Sequence, residues 1–549
     1  MARATALAAA IAVSLLAVSG AGGAGAQTPK RGGTLVFAGL PLEPACLNLL
    51  SERCIPGTSW ISLERVYNLV LESPYDVGSG TDSRPRLVSG HEYSKTPPFT
   101  LTYHIRPEAR WSDGVPVTAR DFVFTHRARL KYIPSEYEDV HRTKVRSIRA
   151  VNAKTAQVVL RSRIAGLHEQ LFPEVLPEHA LRGHDLASVW TTRIDNPRTG
   201  KPIGSGPFLV ERWERGKQLV LRRNPNYWGP HAAYLDRLVF RFGLDADGLL
   251  ASFRRGEIHV AWWPPDPSGF RRERGASFVT TRGAGWEHLS IREGPEGHPA
   301  LREKRVRRAL AYGIDRTAIV RTIFGDVDAR INPVDSMVHL AQSRRYRPNW
   351  NAYRLRRVES RRLLEQAGCR RGSDEIYVCA GQRLSLAVAT FFSPGGGSIR
   401  SRAVELLQAH LRRVGIEVRP IFVPSAVWFD GYLVNGEWDL ALFSWLWAPG
   451  SEAELAHSRF ACGGVDSVTG YCQRLVTRDL DQARRILDQT RQARVLNRAD
   501  AQMAKDVPVI PLWQSPIWAA LSPTVRGFAL SPLVYQLLDA ENWWLAESR

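Results

Sequence analysis

Beyond its first 26 residues the chain has no stretch approaching the ~18 uncharged apolar residues that a membrane helix needs, so no membrane span is expected. It also lacks the compact motifs of common catalysts. There is no Gly-x-Ser-x-Gly elbow and no Gly-x-x-x-x-Gly-Lys phosphate loop, and His168-Glu169-Gln170-Leu171-Phe172 stops short of the second histidine of a His-Glu-x-x-His pair. A hydrolase is therefore the minor reading, and no enzyme is expected. Cysteine is scarce, six in 549 residues, and none stands at a Cys-x-x-Cys or Cys/His ligand spacing, so no metal or cofactor is expected. Acidic residues are outnumbered, 54 against 74 Lys and Arg, for a formal net charge of +20. Arg302, Arg305, Arg307 and Arg308 interleave with apolar positions at helical spacing, so the excess reads as solvated faces and no nucleic-acid partner is expected.

What is present begins with a leader. Arg3 is its only charge, an apolar stretch runs from Ala6 to Val18, and Ala24-Gly25-Ala26 makes a small-residue exit, the build of a signal peptide over residues 1–26. The mature chain is expected to begin near Gln27. No cysteine stands at the cleavage site to carry a lipid, which places the product in a periplasm or secreted, without a lipid anchor. In that oxidising setting the close couples Cys46 with Cys54, Cys369 with Cys379, and Cys462 with Cys472 suggest three local disulfides, out of about fifteen pairings that six cysteines allow. A single core stops growing near ~250–300 residues, so at least two lobes are expected.

Along the chain, Arg31-Gly32-Gly33-Thr34-Leu35-Val36-Phe37 reads as a turn feeding a strand. Val66–Leu71 and Leu101–Ile105 read as short strands. Asp113-Gly114 is turn chemistry, and Thr118 caps a helix whose third residue, Asp121, answers the exposed amides at the positive helix end. Further strands are expected at Gln218–Leu221 and Leu238–Phe242. Val306–Arg316 has the spacing of an amphipathic helix. A second helix, Ala403–Arg413, ends at Gly415 and leads into Ile416-Glu417-Val418, the helix-to-strand step of an α/β layer. Trp438-Asp439-Leu440-Ala441-Leu442-Phe443-Ser444-Trp445 is an apolar strand that ends in aromatics.

These segments, together with Gly204–Phe208, Asn224-Pro225-Asn226-Tyr227-Trp228, Gly256-Glu257-Ile258, Leu363–Gly368 and Pro508–Leu512, resemble in order the extracytoplasmic solute-binding proteins of oligopeptide and dipeptide ABC importers, family 5. The resemblance covers essentially the whole mature chain. It implies an α/β, two-lobed periplasmic-binding-protein-like (type II) fold with an extra subdomain in lobe I. Lobe I would take residues 27–285, with the inserted subdomain near 64–200, lobe II 286–512, and residues 513–549 would return to lobe I. The implied function is the substrate-binding component of an ABC importer. A monomer would close on a peptide-like or other small solute and touch the membrane only through the permease subunits. A sensor or chaperone uncoupled from transport would use the same cleft.

By the same resemblance the ligand wall falls on Pro56, Gly57, Thr58 and Trp60 in lobe I and on Trp428, Trp445, Leu446, Trp447 and Ala448 in lobe II. Trp286, His288 and Arg292 stand where the chain first crosses between the lobes. A Cys46–Cys54 bridge would stiffen the loop before Trp60 and lower the ordering cost of binding, and a bridge between Cys462 and Cys472 would do the same after the lobe II segment. Peptide binders of the family carry an aspartate where this chain has Ala448, and that aspartate pairs with the peptide α-ammonium. A buried ammonium without its partner costs about 3–5 kcal/mol, which argues against ordinary free peptides. Glu452, past the Pro449-Gly450 turn, is a nearby alternative carboxylate.

Overall fold

The computed structural model describes residues 28–39, 43–54, 59–78, 82–133, 139–264, 267–392, 399–448, 450–534 and 536–547. The leader and Pro56, Gly57 and Thr58 lie outside the described residues, and Trp60 is described only in its backbone. Among the described residues no helix is long and apolar enough to cross a membrane.

One ten-stranded sheet runs through both halves of the molecule. On one side Thr34–Gly39 lies parallel to Arg237–Arg241 and to Val260–Trp262. On the other, Ser385–Phe392 lies parallel to Glu417–Pro424 and to Leu440–Leu446. Strands buried on both faces read as continuous apolar runs, which is why Leu35-Val36-Phe37-Ala38 and Leu440-Ala441-Leu442-Phe443 stand out in the sequence. Separate cores cover the two halves. One gathers Leu35, Phe37, Trp111, Trp262 and Trp543; the other gathers Leu289, Leu310, Leu442 and Trp513.

The halves are joined by two long antiparallel strands, Ser277–Ile291 and Val509–Leu521. Their register is regular from Ser277↔Leu521 to Arg282↔Pro516, breaks, and resumes at Trp286↔Gln514. The first strand changes character at the break: up to Arg282 it is exposed or half-buried, and from Gly283 onward it is buried. Gly283 is required there, because a Cβ on it would meet the Ser515 carbonyl oxygen at 2.5 Å. The Gln514 amide spans the gap, donating to the Gly283 carbonyl at 2.5 Å and accepting from the Ala341 N–H at 3.0 Å. A bulge kinks and twists a strand pair locally. Here it falls where one core gives way to the other.

The inserted subdomain is a four-stranded antiparallel sheet in the order Val88–Tyr93, Thr100–Ile105, Thr155–Leu160, Val145–Asn152. The helix Ala119–Tyr132 packs on it. Asp121 accepts from the Thr118 N–H at 2.7 Å, the expected reciprocal cap, and its second oxygen takes the Glu178 N–H at 2.8 Å.

All three expected disulfides form between chain neighbours. Cys46 bonds Cys54 with a Cα separation of 4.7 Å, Cys369 bonds Cys379 at 4.3 Å, and Cys462 bonds Cys472 at 4.5 Å. Among the described residues no cysteine is left free. The chain ends of the described region meet on lobe I, where Lys30 pairs with Glu547 and Trp544–Leu545 pairs with Val525–Arg526.

Two expectations are corrected. Val66–Leu71 is not a strand; it closes the helix Ser59–Val70. Leu63, Val66, Tyr67 and Val70 are buried at helical spacing, a period that a six-residue window is too short to show. The helix expected over Val306–Arg316 is two. Lys304–Gly313 stops, and Asp315 caps Arg316–Phe324 by accepting the Ala318 N–H at 2.9 Å.

Candidate ligand-binding site

The strand Leu440–Leu446 lies beside the crossing strand, with Trp445 opposite Trp286 and Phe443 opposite His288. This pairing builds an aromatic stack. The His288 ring lies 4.0 Å from Trp445 and 4.6 Å from Phe443, Phe460 meets Trp445 edge-on at 5.2 Å, and the Arg459 guanidinium covers Trp445 at 4.8 Å. Burial pushes His288 down to about 3, so the ring is neutral, and lowers Arg459 to about 10. Arg459 donates to the Leu446 carbonyl at 3.1 Å. Trp428 lies one layer further in, against Phe391 at 5.4 Å and Phe443 at 5.8 Å. Trp286, Trp428 and Trp447 are each at most 2% exposed, whereas Leu446 is 38% exposed and Ala448 is half-buried. Trp447 fixes the end of the strand through its backbone N–H to the Ala284 carbonyl at 2.8 Å. Arg292 is tied down by its bond to the Gly436 carbonyl at 2.7 Å and lies 3.7 Å over Trp438.

Glu452 has a different setting. Ser451 bonds the Ala448 carbonyl at 2.6 Å and turns the chain into the helix Glu452–Phe460, so Glu452 occupies the first helical position, where a carboxylate complements the helix dipole. Its side chain lines a cavity of about 950 Å³ between the inserted subdomain and lobe II. Burial raises its pKa to about 7, and the Glu169 carboxylate on the opposite side adds to the rise; Arg345 and a bond from Trp447 oppose it.

On the inserted-subdomain side the cavity is lined by His91, Tyr93, His168 and Glu169. The His91 and His168 rings stack at 3.6 Å, tilted 22°. His91 bonds the Tyr75 hydroxyl at 2.7 Å and is lowered to about 4 by burial and by His168. Glu169 is 3.2 Å from His168 Nε2. On the lobe II side stand Arg344, Arg345, Arg347 and Arg494. The cavity is shut along one margin. A Cβ on Gly166 would come within 1.9 Å of the Gly450 oxygen, the Ala165 N–H donates to the Arg484 carbonyl at 3.0 Å, and Lys144 pairs with Glu454 at 2.7 Å.

Of the nominated residues that are described, the structure buries Trp286, His288, Trp428, Trp445 and Trp447 in one core, with His288 and Trp445 in ring contact, and Glu452 alone among them lines the cavity. The cysteines nominated with them do not line the cavity: Cys369 and Cys379 are buried in the lobe II core, and Cys46 and Cys54 in the lobe I core. The bridge from Cys462 to Cys472 instead closes the loop that follows the helix Glu452–Phe460, where the Cys462 N–H donates to the Thr477 hydroxyl at 2.9 Å. His91, Glu169 and the four arginines were not nominated. Arg344-Arg345-x-Arg347 is visible as a local charge run, but nothing in the sequence says that it faces Glu169. Among the described residues no group of three or more His, Cys, Asp or Glu is placed to hold a metal ion.

Two lobes threaded by one sheet, with a chamber where they meet, define a solute receptor. The chain belongs to the bacterial extracellular solute-binding proteins, family 5, whose middle-region description matches residues 83–467. It is 23% identical over 543 residues to the oligopeptide-binding protein AppA of Bacillus subtilis, covering 95% of this chain and 93% of that one. It is 27% identical over 344 residues to di/tripeptide-binding protein 2 of Pseudomonas aeruginosa, covering 61% and 60%. Among solved structures it superposes on the periplasmic EDTA-binding protein EppA with a TM-score of 0.79 at 21% identity, over 95% of this chain and 98% of that one. For AppA of Bacillus subtilis in complex with a nonapeptide the values are 0.71 and 20%, over 95% and 100%. The chain is thus a solute-binding protein by family, and the family replaces the hydrolase reading.

Proposed function

We propose that the protein works as a monomer in a periplasm, captures a small peptide-like solute by closing lobe I with its inserted subdomain onto lobe II, and presents the closed form to the permease of an ABC importer. The lobes are taken as residues 27–285 with 513–549, and 286–512. The observation that carries this reading is the bulged crossing between Arg282 and Trp286, paired with the side-chain-free contact of Gly166 on Gly450. The first supplies a place where the ladder bends, and the second a surface that meets only on closure. Hinges of this kind absorb the backbone change at a few residues while each lobe moves as a body. The relatives named above as peptide binders support a peptide-like solute.

The test is small-angle scattering of the purified exported protein before and after adding culture extract, with the bound solute then released by denaturation and identified. A smaller radius of gyration and a solute recovered unchanged at one per chain are expected. No compaction and no recovered solute would overturn capture. Deleting the permease and finding uptake of that solute unchanged would overturn delivery.

A further inference from the structure

We propose that the inserted subdomain carries a second recognition surface, a groove along the outer face of the helix Ala119–Tyr132 that takes an acidic amphipathic helix of a partner protein. The groove is a cavity of about 760 Å³ that shares no lining residue with the chamber. The four-stranded sheet separates the two. His91 and Tyr93 stand on its one edge strand, Val88–Tyr93, and Ile148 and Arg149 on the other, Val145–Asn152. The proposal goes beyond solute capture and does not depend on it.

Arg120, Val123, Phe124, Arg127, Ala128 and Lys131 recur at steps of three and four, which puts them on one face of the helix over roughly 17 Å at 1.5 Å per residue. The groove is layered. Its floor is apolar: Val123, Phe124, Tyr132 and Ile148 are half-buried, and Leu181 and Leu186 are buried. Its rim is cationic: Arg120, Arg127, Lys131, Arg149 and Arg182 are exposed. Among the described lining residues Glu178 is the sole carboxylate, and it is already taken, by Arg120 at 3.0 Å and by Arg182. Arg127, Lys131 and Arg149 form no ion pair among the described residues. Lys131 lies 4.8 Å over the ring of its neighbour Tyr132, and Arg149 bonds the Gln157 side chain at 2.7 Å. Three unpaired cations around an apolar floor are the complement of an apolar stripe flanked by carboxylates.

The other occupants fit less well. A β-strand added to the Val145–Asn152 edge would need a regular ladder, and that strand breaks register between Val145 and Ser147 and again between Ala150 and Asn152, with Arg146 and Arg149 exposed along it. A bilayer is held by apolar groups that stand outermost, whereas here the apolar groups lie beneath the cations. A nucleic-acid backbone calls for cations and leaves the apolar floor without a partner. A second copy of the chain would bring a further net charge of +20 toward a basic rim. A helix carries its apolar residues at the same three- and four-residue steps as the groove and its charges on either side of them, so it meets floor and rim together.

The test is fluorescence anisotropy of the full exported chain with labelled, side-chain-stapled helices of about 12 residues, long enough to follow the groove. One carries a leucine stripe flanked by glutamates, the second has glutamine for every glutamate, the third has lysine, and the fourth has the first peptide's composition in scrambled order. The first is expected to bind more than tenfold tighter than the other three, and to weaken as salt is added. Arg127→Glu combined with Lys131→Glu should reverse the preference, losing the glutamate helix and gaining the lysine helix, with the thermal midpoint and solute retention unchanged. Should that variant not fold, Arg149→Glu combined with Arg127→Gln serves in its place. Equal binding of the scrambled peptide would reduce the effect to net charge and overturn the groove. Binding to phosphatidylglycerol vesicles in place of the glutamate helix would make the face a lipid contact and overturn it as well, as would no binding to any probe.

Discussion

The two sides of the segment leaving the Leu440–Leu446 strand are built from opposite materials. Behind it, Trp286, His288, Trp428, Trp445 and Trp447 are buried in one uncharged core. Ahead of it, Glu452 faces a chamber whose lining includes arginines, Glu169 and two histidines. Large aromatic side chains carry much apolar area in few rotamers, which suits a ligand wall and a core equally well. Charged groups are different: left unsolvated they are costly, so a cavity that keeps several of both signs is kept for something that pairs with them. The aromatic set packs the core of lobe II, while the charged set lines the chamber.

The comparison can be broken most forcefully at Trp428. Trp428→Ala removes a fully buried indole and is expected to destabilise lobe II by about 3–5 kcal/mol, read from the denaturant midpoint. If stability holds and only solute retention is lost, the aromatic set is a ligand wall after all. Next in size is Gly166→Val. Its side chain cannot coexist with the Gly450 carbonyl, so the closed fraction should fall and apparent affinity with it, by more than about tenfold. Scattering should show an open shape with the fold intact.

Titration of Glu452 sharpens the comparison further. Its carboxyl is faced by Glu169, Arg345 and Trp447 and rises in the folded state from 4.5 to about 7, so the folded chain binds the extra proton. Stability should therefore fall as pH rises from about 4.5 to about 7. Glu452→Gln should flatten that curve, and a pH profile identical to wild type would show that Glu452 is not the titrating group. The smallest effect is expected at Lys144→Ala. This partly exposed pair with Glu454 is worth about 0.2–1 kcal/mol, visible as a small shift in the thermal midpoint that fades with added salt.

Much of the frame was legible because its signals are local. The strand ending at Trp445 is an unbroken apolar run, and the Thr118–Asp121 cap spans one helical turn. The cysteine couples are near neighbours in the chain, Cys369 and Cys379 ten residues apart and Cys462 and Cys472 likewise, so pairing each with its neighbour needed no knowledge of the fold. The helix Ser59–Val70 was misread because Val66–Leu71 is apolar at every position but Asn68, a pattern that strand and helix share over six residues. The chamber was legible only at Glu452. Its other charges lie on the edge of a four-stranded sheet, on the Leu167–Gln170 turn, and in a loop and on the helix Gln489–Asp506 of lobe II, and they meet through the docking of one unit on another. No spacing rule reaches across that docking. A charge run such as Arg344-Arg345-x-Arg347 looks like any solvated loop until a carboxylate is found opposite.

The meeting of Lys30 with Glu547 on lobe I has a practical side. Both described ends of the chain sit on the same body, and among the described residues the backbone passes to lobe II through the two crossing strands. A label, bead or reporter domain attached at either end therefore rides with lobe I and leaves the other jaw unencumbered. By the same token a dye pair placed at the two ends would stay dark to closure, and a working optical sensor needs one of its dyes inside lobe II.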